Sequence, residues 1–265
     1  IVNTANGSVD KFLISIMMTP EDVAVYSVAM SMFSMFSSIA TLPVTMFMPQ
    51  VAQNMKNGLE GKELTDTLVQ PCRLNIIITG MIAFGFLSVG RAFIQTLYGT
   101  DYSNAWLFAV VVILPMFFNM FNAVIINVID VMRKRHVRSL ILMITTALNI
   151  VLTIIGIKTV GMFGAALATG ISLIGQAILL NIYYQKKIGL KIGLLIKESF
   201  RGFVPWILLA TVVSFAIQLV IKQTIWQLLI GGVLFIIVFA VSFLAFGANN
   251  EEKKKVRQVI SRFVK

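Results

Sequence analysis

Apolar runs of membrane-crossing length alternate along the chain with short polar breaks. A helical span needs about 20 apolar residues, and the pattern predicts eight: Ile1–Met18, Val23–Met48, Leu74–Leu97, Ala105–Ile129, Leu140–Ile157, Val160–Tyr184, Phe203–Ile221 and Ile225–Phe246. The first is the weakest, because Asp10 and Lys11 interrupt it. The breaks differ in character. Thr19-Pro20-Glu21-Asp22 is short and acidic, Gln53–Gln70 reads as a longer polar connection, and Tyr98–Asn104 is a turn rich in Gly, Asp and Asn. Arg133–Arg138 and Gln185–Gly202 are basic, and the tail beyond Glu251 holds six Lys and Arg.

Composition makes the membrane reading firm. Of the 265 residues, 58% are hydrophobic and 12% charged, against about 25% charged in an ordinary soluble domain. The mean hydropathy is +0.89. The expected fold is therefore an all-α polytopic membrane protein with about eight transmembrane helices.

The net charge of +11 first suggests an acidic partner such as nucleic acid. Topology explains it instead. With both termini in the cytoplasm, all but Lys11, Arg91, Lys158 and Lys222 of the 22 Lys and Arg fall on the inner side, as the positive-inside rule requires. No nucleic-acid partner is expected. In the tail, Val256, Val259, Ile260, Phe263 and Val264 recur at helical spacing among basic residues, after a cap-like Asn249 and Glu252. That pattern predicts an in-plane helix on the anionic inner leaflet.

One cysteine, Cys72, and one histidine, His136, leave nothing for a disulfide framework or a metal cluster. The chain contains no His-Glu-x-x-His, no Gly-rich phosphate loop and no nucleophile elbow. Neither an enzyme nor a metal protein is expected, and no cofactor is implied.

Polar residues at membrane depth mark candidate function. In span one, Asn3, Asn6 and Asp10 share about 60° of helix surface, with Lys11 turned about 100° away. They line a wet interior, or they pair with another helix, or they sit at the interface. In span two, Ser27, Ser31, Ser34, Ser38, Thr41 and Thr45 follow a 4-3-4-3-4 spacing, within about 80° of arc. The row is either a helix-packing surface, with each hydroxyl bonded back to its own helix, or the wall of a solvated cavity. In span four, Pro115, Asn119, Asn122 and Asp130 share one face. Asp130 is expected to pair with the adjacent basic turn. Span five adds Thr145, Asn149 and Thr153, and span six carries a small-residue packing ridge, Gly161, Gly164, Ala168, Ser172 and Gly175. Spans seven and eight are greasier. They read as peripheral and lipid-facing, with Trp206 and Trp226 as interface anchors.

Several stretches resemble one family. They are Val9-Asp10-Lys11-Phe12-Leu13-Ile14 through Val23–Ala29, Leu97-Tyr98-Gly99 with Tyr102 and Ala105, Ala147–Leu152, and Gly161–Thr169. In order and spacing they resemble the second half of polysaccharide and oligosaccharide flippases, the O-antigen-type members of the multidrug/oligosaccharidyl-lipid/polysaccharide exporter superfamily. That resemblance implies two six-helix lobes around a central cavity, followed by two further helices. The chain would then be a second lobe (1–184), a basic cytoplasmic connector (185–202), two added spans (203–247) and a basic amphipathic cytoplasmic tail (248–265). The lack of an initial methionine fits a piece of a longer protein whose first lobe lies upstream.

The implied activity is transfer of a polyprenyl-diphosphate-linked oligosaccharide across the bacterial cytoplasmic membrane for surface polysaccharide synthesis, by rocking of the lobes. Cavity candidates are Asn3, Asn6, Asp10, Lys11, Ser27, Ser31, Ser34, Ser38, Asn119, Asn122 and Asn149. Lys11 would meet the diphosphate. Asp10 is the candidate for coupling to Na+ or H+, and the prenyl chain would lie in lipid against spans seven and eight. The alternatives are a drug/cation antiporter of the same superfamily and, more weakly, a membrane-embedded glycan polymerase or glycosyltransferase, or a scaffold for glycan assembly.

Overall fold

The computed structural model describes residues 13–221, 224–248 and 253. Every regular element among them is helical. Most of the first predicted span and most of the tail lie outside the described residues. A helical stretch at 13–17 leads into α1 (Pro20–Lys56), and then follow α2 (Gly61–Tyr98), α3 (Ala105–Val131), α4 (Arg135–Val160), α5 (Met162–Tyr183), α6 (Ile192–Ser199), α7 (Phe203–Val220) and α8 (Thr224–Ser242). Turns of π-helix extend α5 at Tyr184–Ile188 and α8 at Phe243–Gly247.

Local chemistry sets several helix ends. The acidic break before α1 is a capping box. The Thr19 hydroxyl accepts from the Asp22 N–H at 3.3 Å, and the Asp22 carboxylate accepts from the Thr19 N–H at 3.4 Å. Pro20 occupies the first turn, where no N–H is needed. At the other end of α4, Gly161 takes a positive φ of 69° that lets the chain double straight back into α5.

Six of these helices are long and apolar enough to cross a membrane, and α7 contributes a shorter apolar stretch, Pro205–Ala216. The first two exceed the need. With 37 and 38 residues, each is about 56 Å long, against a hydrocarbon core of about 30 Å. The polar connection expected over Gln53–Gln70 is therefore mostly helix, and only the four residues 57–60 turn. The reason is amphipathic packing. Leu64, Leu68, Cys72 and Ile76 recur every fourth residue and are all buried, so the apolar stripe of α2 begins well before its continuous apolar run.

α3 is the most buried span. It packs on α1, α2 and α5, while α4 rests almost wholly on α5. The α4–α5 seam is close. Ile141, Thr145, Asn149, Thr153 and Ile157 form one buried stripe, and a Cβ on Gly156 would lie 2.6 Å from the Gly164 carbonyl oxygen. Gly164, Ala168 and Ser172 of the small-residue ridge are buried. On the facing side of α5, a Cβ on Gly170 would reach within 2.9 Å of the Val111 carbonyl oxygen, the group that Pro115 leaves without its helical donor.

α2 is the second hub, carrying α6, α7 and α8. The pair is peripheral, as expected, but one detail of it differs. Trp206 is not an interface anchor. It is 1% exposed, with its ring centroid 4.9 Å from Phe203, 4.5 Å from Phe239 and 5.4 Å from Phe243. Its position near a span end is shared with an interface anchor, but the helix end is covered by α8. Trp226 is exposed, and α8 presents Leu229, Ile230, Val233, Ile236, Ile237 and Val241 outward, as a lipid-facing helix does.

Candidate functional site

The serines and threonines of α1 lie away from its packed face. Tyr26, Ala29, Met30, Phe36, Ala40 and Pro43 turn inward, whereas Ser27 and Ser31 are half-buried and Ser34, Ser38, Thr41 and Thr45 are exposed. Five of these hydroxyls donate to their own helix. Ser31, Ser34 and Ser38 bond the carbonyls of Ser27, Met30 and Ser34 at 2.8, 2.9 and 2.8 Å. Thr41 and Thr45 bond those of Ser38 and Leu42, both at 2.9 Å. Back-bonding satisfies the donors while the oxygen lone pairs still face outward. The row is thus an acceptor-rich strip that can rotate its hydroxyls to meet a polar ligand.

The amides are placed differently. Asn119 is buried and donates to the Gln176 side chain of α5 at 3.2 Å. Asn122 is fully buried within α3's packing, with neither side-chain atom hydrogen-bonded to protein. Asn149 lies buried in the α4–α5 seam, where its oxygen accepts from Thr153 at 3.1 Å. The structure therefore does not bring the candidates to one surface: hydroxyls stand on the open face of α1, and amides sit inside the lobe. Asn3, Asn6, Asp10 and Lys11 lie outside the described residues. Asp130 makes the expected ion pair, 3.0 Å from Arg135 Nε in the basic turn.

Three buried polar residues escape a reading of the sequence. Asn75 of α2 donates to the Met120 carbonyl at 2.8 Å, and Asn127 of α3 donates to the Val44 carbonyl, between the two prolines of α1, at 3.0 Å. Arg73 was counted with the inner loops by charge alone. It is instead buried in α2, where it donates to the carbonyls of Arg201, at 2.8 Å, and Gly247. The available signal was the fourfold apolar spacing from Leu64, which places residue 73 inside a packed helix. Among the described residues, no group of three or more His, Cys, Asp or Glu converges as metal ligands would.

Membrane-length helices, a doubled-back hairpin and polar rows within them define the class: a multi-spanning helical membrane protein. The family model described as "Lipid II flippase MurJ" matches residues 2–239. The chain belongs to that family, whose members are transporters rather than enzymes, multi-pass in the cytoplasmic membrane and part of the exporter superfamily expected from the sequence. Its structure is similar to one titled "Lipid II flippase MurJ, inward closed conformation", with a TM-score of 0.72 at 17% identity, over 92% of this chain and 51% of that one. The chain thus spans about half the length of that structure, and at this identity the likeness is one of fold. No curated protein matches the sequence.

Proposed function

We propose that the chain is one lobe of a flippase that moves a polyprenyl-diphosphate-linked glycan across the cytoplasmic membrane by alternating access, with lipid II, the substrate named for its family, as the first candidate. The observation that carries this reading is the exposed hydroxyl strip of α1, Ser34, Ser38, Thr41 and Thr45. Hydroxyls gain nothing from lipid, so a row of them left open at membrane depth is best placed against water and sugar. A further lobe supplies the opposite wall. Lys11 meets the diphosphate, Asn3, Asn6, Ser27 and Ser31 extend the polar lining, and Asp10 is the carboxylate for coupling to Na+ or H+. The prenyl chain stays in the bilayer beside the apolar outer face of α8, and the basic tail holds the inner leaflet.

A second reading keeps the mechanism and changes the glycan. The stretches Leu97–Gly99, Ala147–Leu152 and Gly161–Thr169 favour the oligosaccharide repeat units of surface polysaccharide.

The experiment expresses the full-length protein in cells depleted of their own lipid II flippase and, separately, in cells lacking their O-antigen flippase. Rescue of the first supports lipid II, and rescue of the second supports the repeat unit. Rescue of neither, by protein that reaches the membrane, overturns the proposal. In the same cells, Lys11→Ala is expected to lower rescue at least tenfold. Normal rescue removes Lys11 from the site.

A further inference from the structure

Arg73 sits where three parts of the chain converge. Its guanidinium, borne by α2 and 4% exposed, donates from one nitrogen to the Arg201 carbonyl at 2.8 Å and from the other to the Gly247 carbonyl. Arg201 belongs to the turn that joins α6 to α7, and Gly247 ends the π-turn that closes α8. The two segments that carry these acceptors also lie close together. Gly202, at a φ of +73°, lies so close to α8 that a Cβ on it would be 3.0 Å from the Phe246 carbonyl oxygen and 3.4 Å from the Gly247 Cα. A single side chain thus holds the connector and the end of the last span together.

The chemistry suits the position. A helix C-terminus leaves carbonyls without donors and carries partial negative charge. Arginine stays protonated when buried and offers its donors in a rigid planar fork that reaches two divergent oxygens. The other α2–α8 contacts on view are apolar: Gly85 lies against the Phe235 ring, and Gly231 against Val89. In a bilayer such contacts gain no hydrophobic driving force, since lipid tails are equally apolar. They join the helices by close packing at small residues. Hydrogen bonds to two particular carbonyls add a directional tie. Nearer the inner end, the Lys191 N–H donates to the Thr65 hydroxyl at 3.1 Å and seats the connector on α2.

We propose that Arg73 is the positioning residue that fastens the connector, α7 and α8 to α2, so that the added pair travels with the lobe as one body during transport. The proposal rests on the flippase reading for its transport arm, but its central claim concerns motion within this chain.

The test uses the full-length protein carrying Cys72→Ala and no other native cysteine. Val89→Cys with Gly231→Cys staples α2 to α8, because a Cβ on Gly231 would lie 3.0 Å from a Val89 methyl, within disulfide reach. Spin labels at exposed Met81 on α2 and Ile237 on α8 report their separation in lipid nanodiscs. One unchanged narrow distance across inward- and outward-facing states is expected. Arg73→Gln should broaden it and lower rescue at least fivefold. Arg73→Lys, which keeps the charge but not the fork, should recover only part, and the staple should restore rescue in Arg73→Gln. A staple that abolishes rescue until it is reduced overturns the proposal, and so does an unchanged distance in Arg73→Gln. The distance measurement stands even where no rescue is found, so a wrong substrate and a wrong latch give different results.

Discussion

The hydroxyl row of α1 and the amide row of α3 look alike on paper. Each is a set of polar residues at helical spacing inside an apolar span. In the fold they part. The hydroxyls of Ser34, Ser38, Thr41 and Thr45 face out of the lobe and bond only their own helix, whereas Asn119 and Asn127 face in and bond other helices. The chemistry of the groups explains the division. A serine or threonine hydroxyl donates to a carbonyl one turn back and is satisfied without a neighbour. An amide carries two donors and an acceptor, and Asn119 and Asn127 use theirs across a helix interface, while Asn149 accepts from Thr153 of its own helix and Asn122 is buried with no protein partner. Hydroxyls can therefore stand on a surface with no helix against it, while Asn119 and Asn127 tie helices of the lobe together.

This contrast can be broken by substitutions of graded severity. Gly164→Leu forces a side chain into the backbone of α4, where no atom can give way. Loss of on the order of 3 kcal/mol or more is expected, seen as failure to accumulate in the membrane or as a large fall in Tm in detergent. Asn75→Leu deletes the bond to the Met120 carbonyl and leaves that carbonyl buried. A cost of about 1–3 kcal/mol is expected, read by thermal unfolding with transport per folded molecule kept. In the inner turn, Arg133 holds a φ of 55°, so Arg133→Gly relieves strain. A gain of about 1 kcal/mol is expected, and a lower Tm would show that the arginine makes up the difference elsewhere. Ser34→Ala with Ser38→Ala should move stability by no more than about 0.5 kcal/mol yet reduce glycan transport severalfold in full-length protein. If this pair destabilises as much as Asn75→Leu, the α1 row is a packing surface and the contrast fails.

Six of the eight expected spans were plain in the sequence, because a bilayer demands long apolar runs and little else does. Their ends were less plain where helices leave the membrane. α2 starts at Gly61 rather than Leu74 because Leu64 and Leu68 pack on neighbouring helices, and such packing needs spacing rather than a continuous apolar run. The pairing of Asp130 with the basic turn was legible, since both partners are adjacent in sequence. Trp206 and Arg73 were not. An indole near a span end serves equally at a headgroup or against three other rings, and an arginine beside an inner loop satisfies the charge rule wherever its side chain points. Their true surroundings are set by Phe239, Phe243 and Gly247, which are far away along the chain. Of the site, the hydroxyl row of α1 was visible as a row, but its open side depends on which helices α1 meets.

One arrangement has a mechanical consequence. Among the described residues α4 leans almost wholly on α5 and meets it along a seam with bare glycine backbone, so this hairpin joins the rest of the lobe chiefly through the face that α5 lays on α3. Under force applied to the chain, the two helices of such a hairpin are expected to leave the bilayer together.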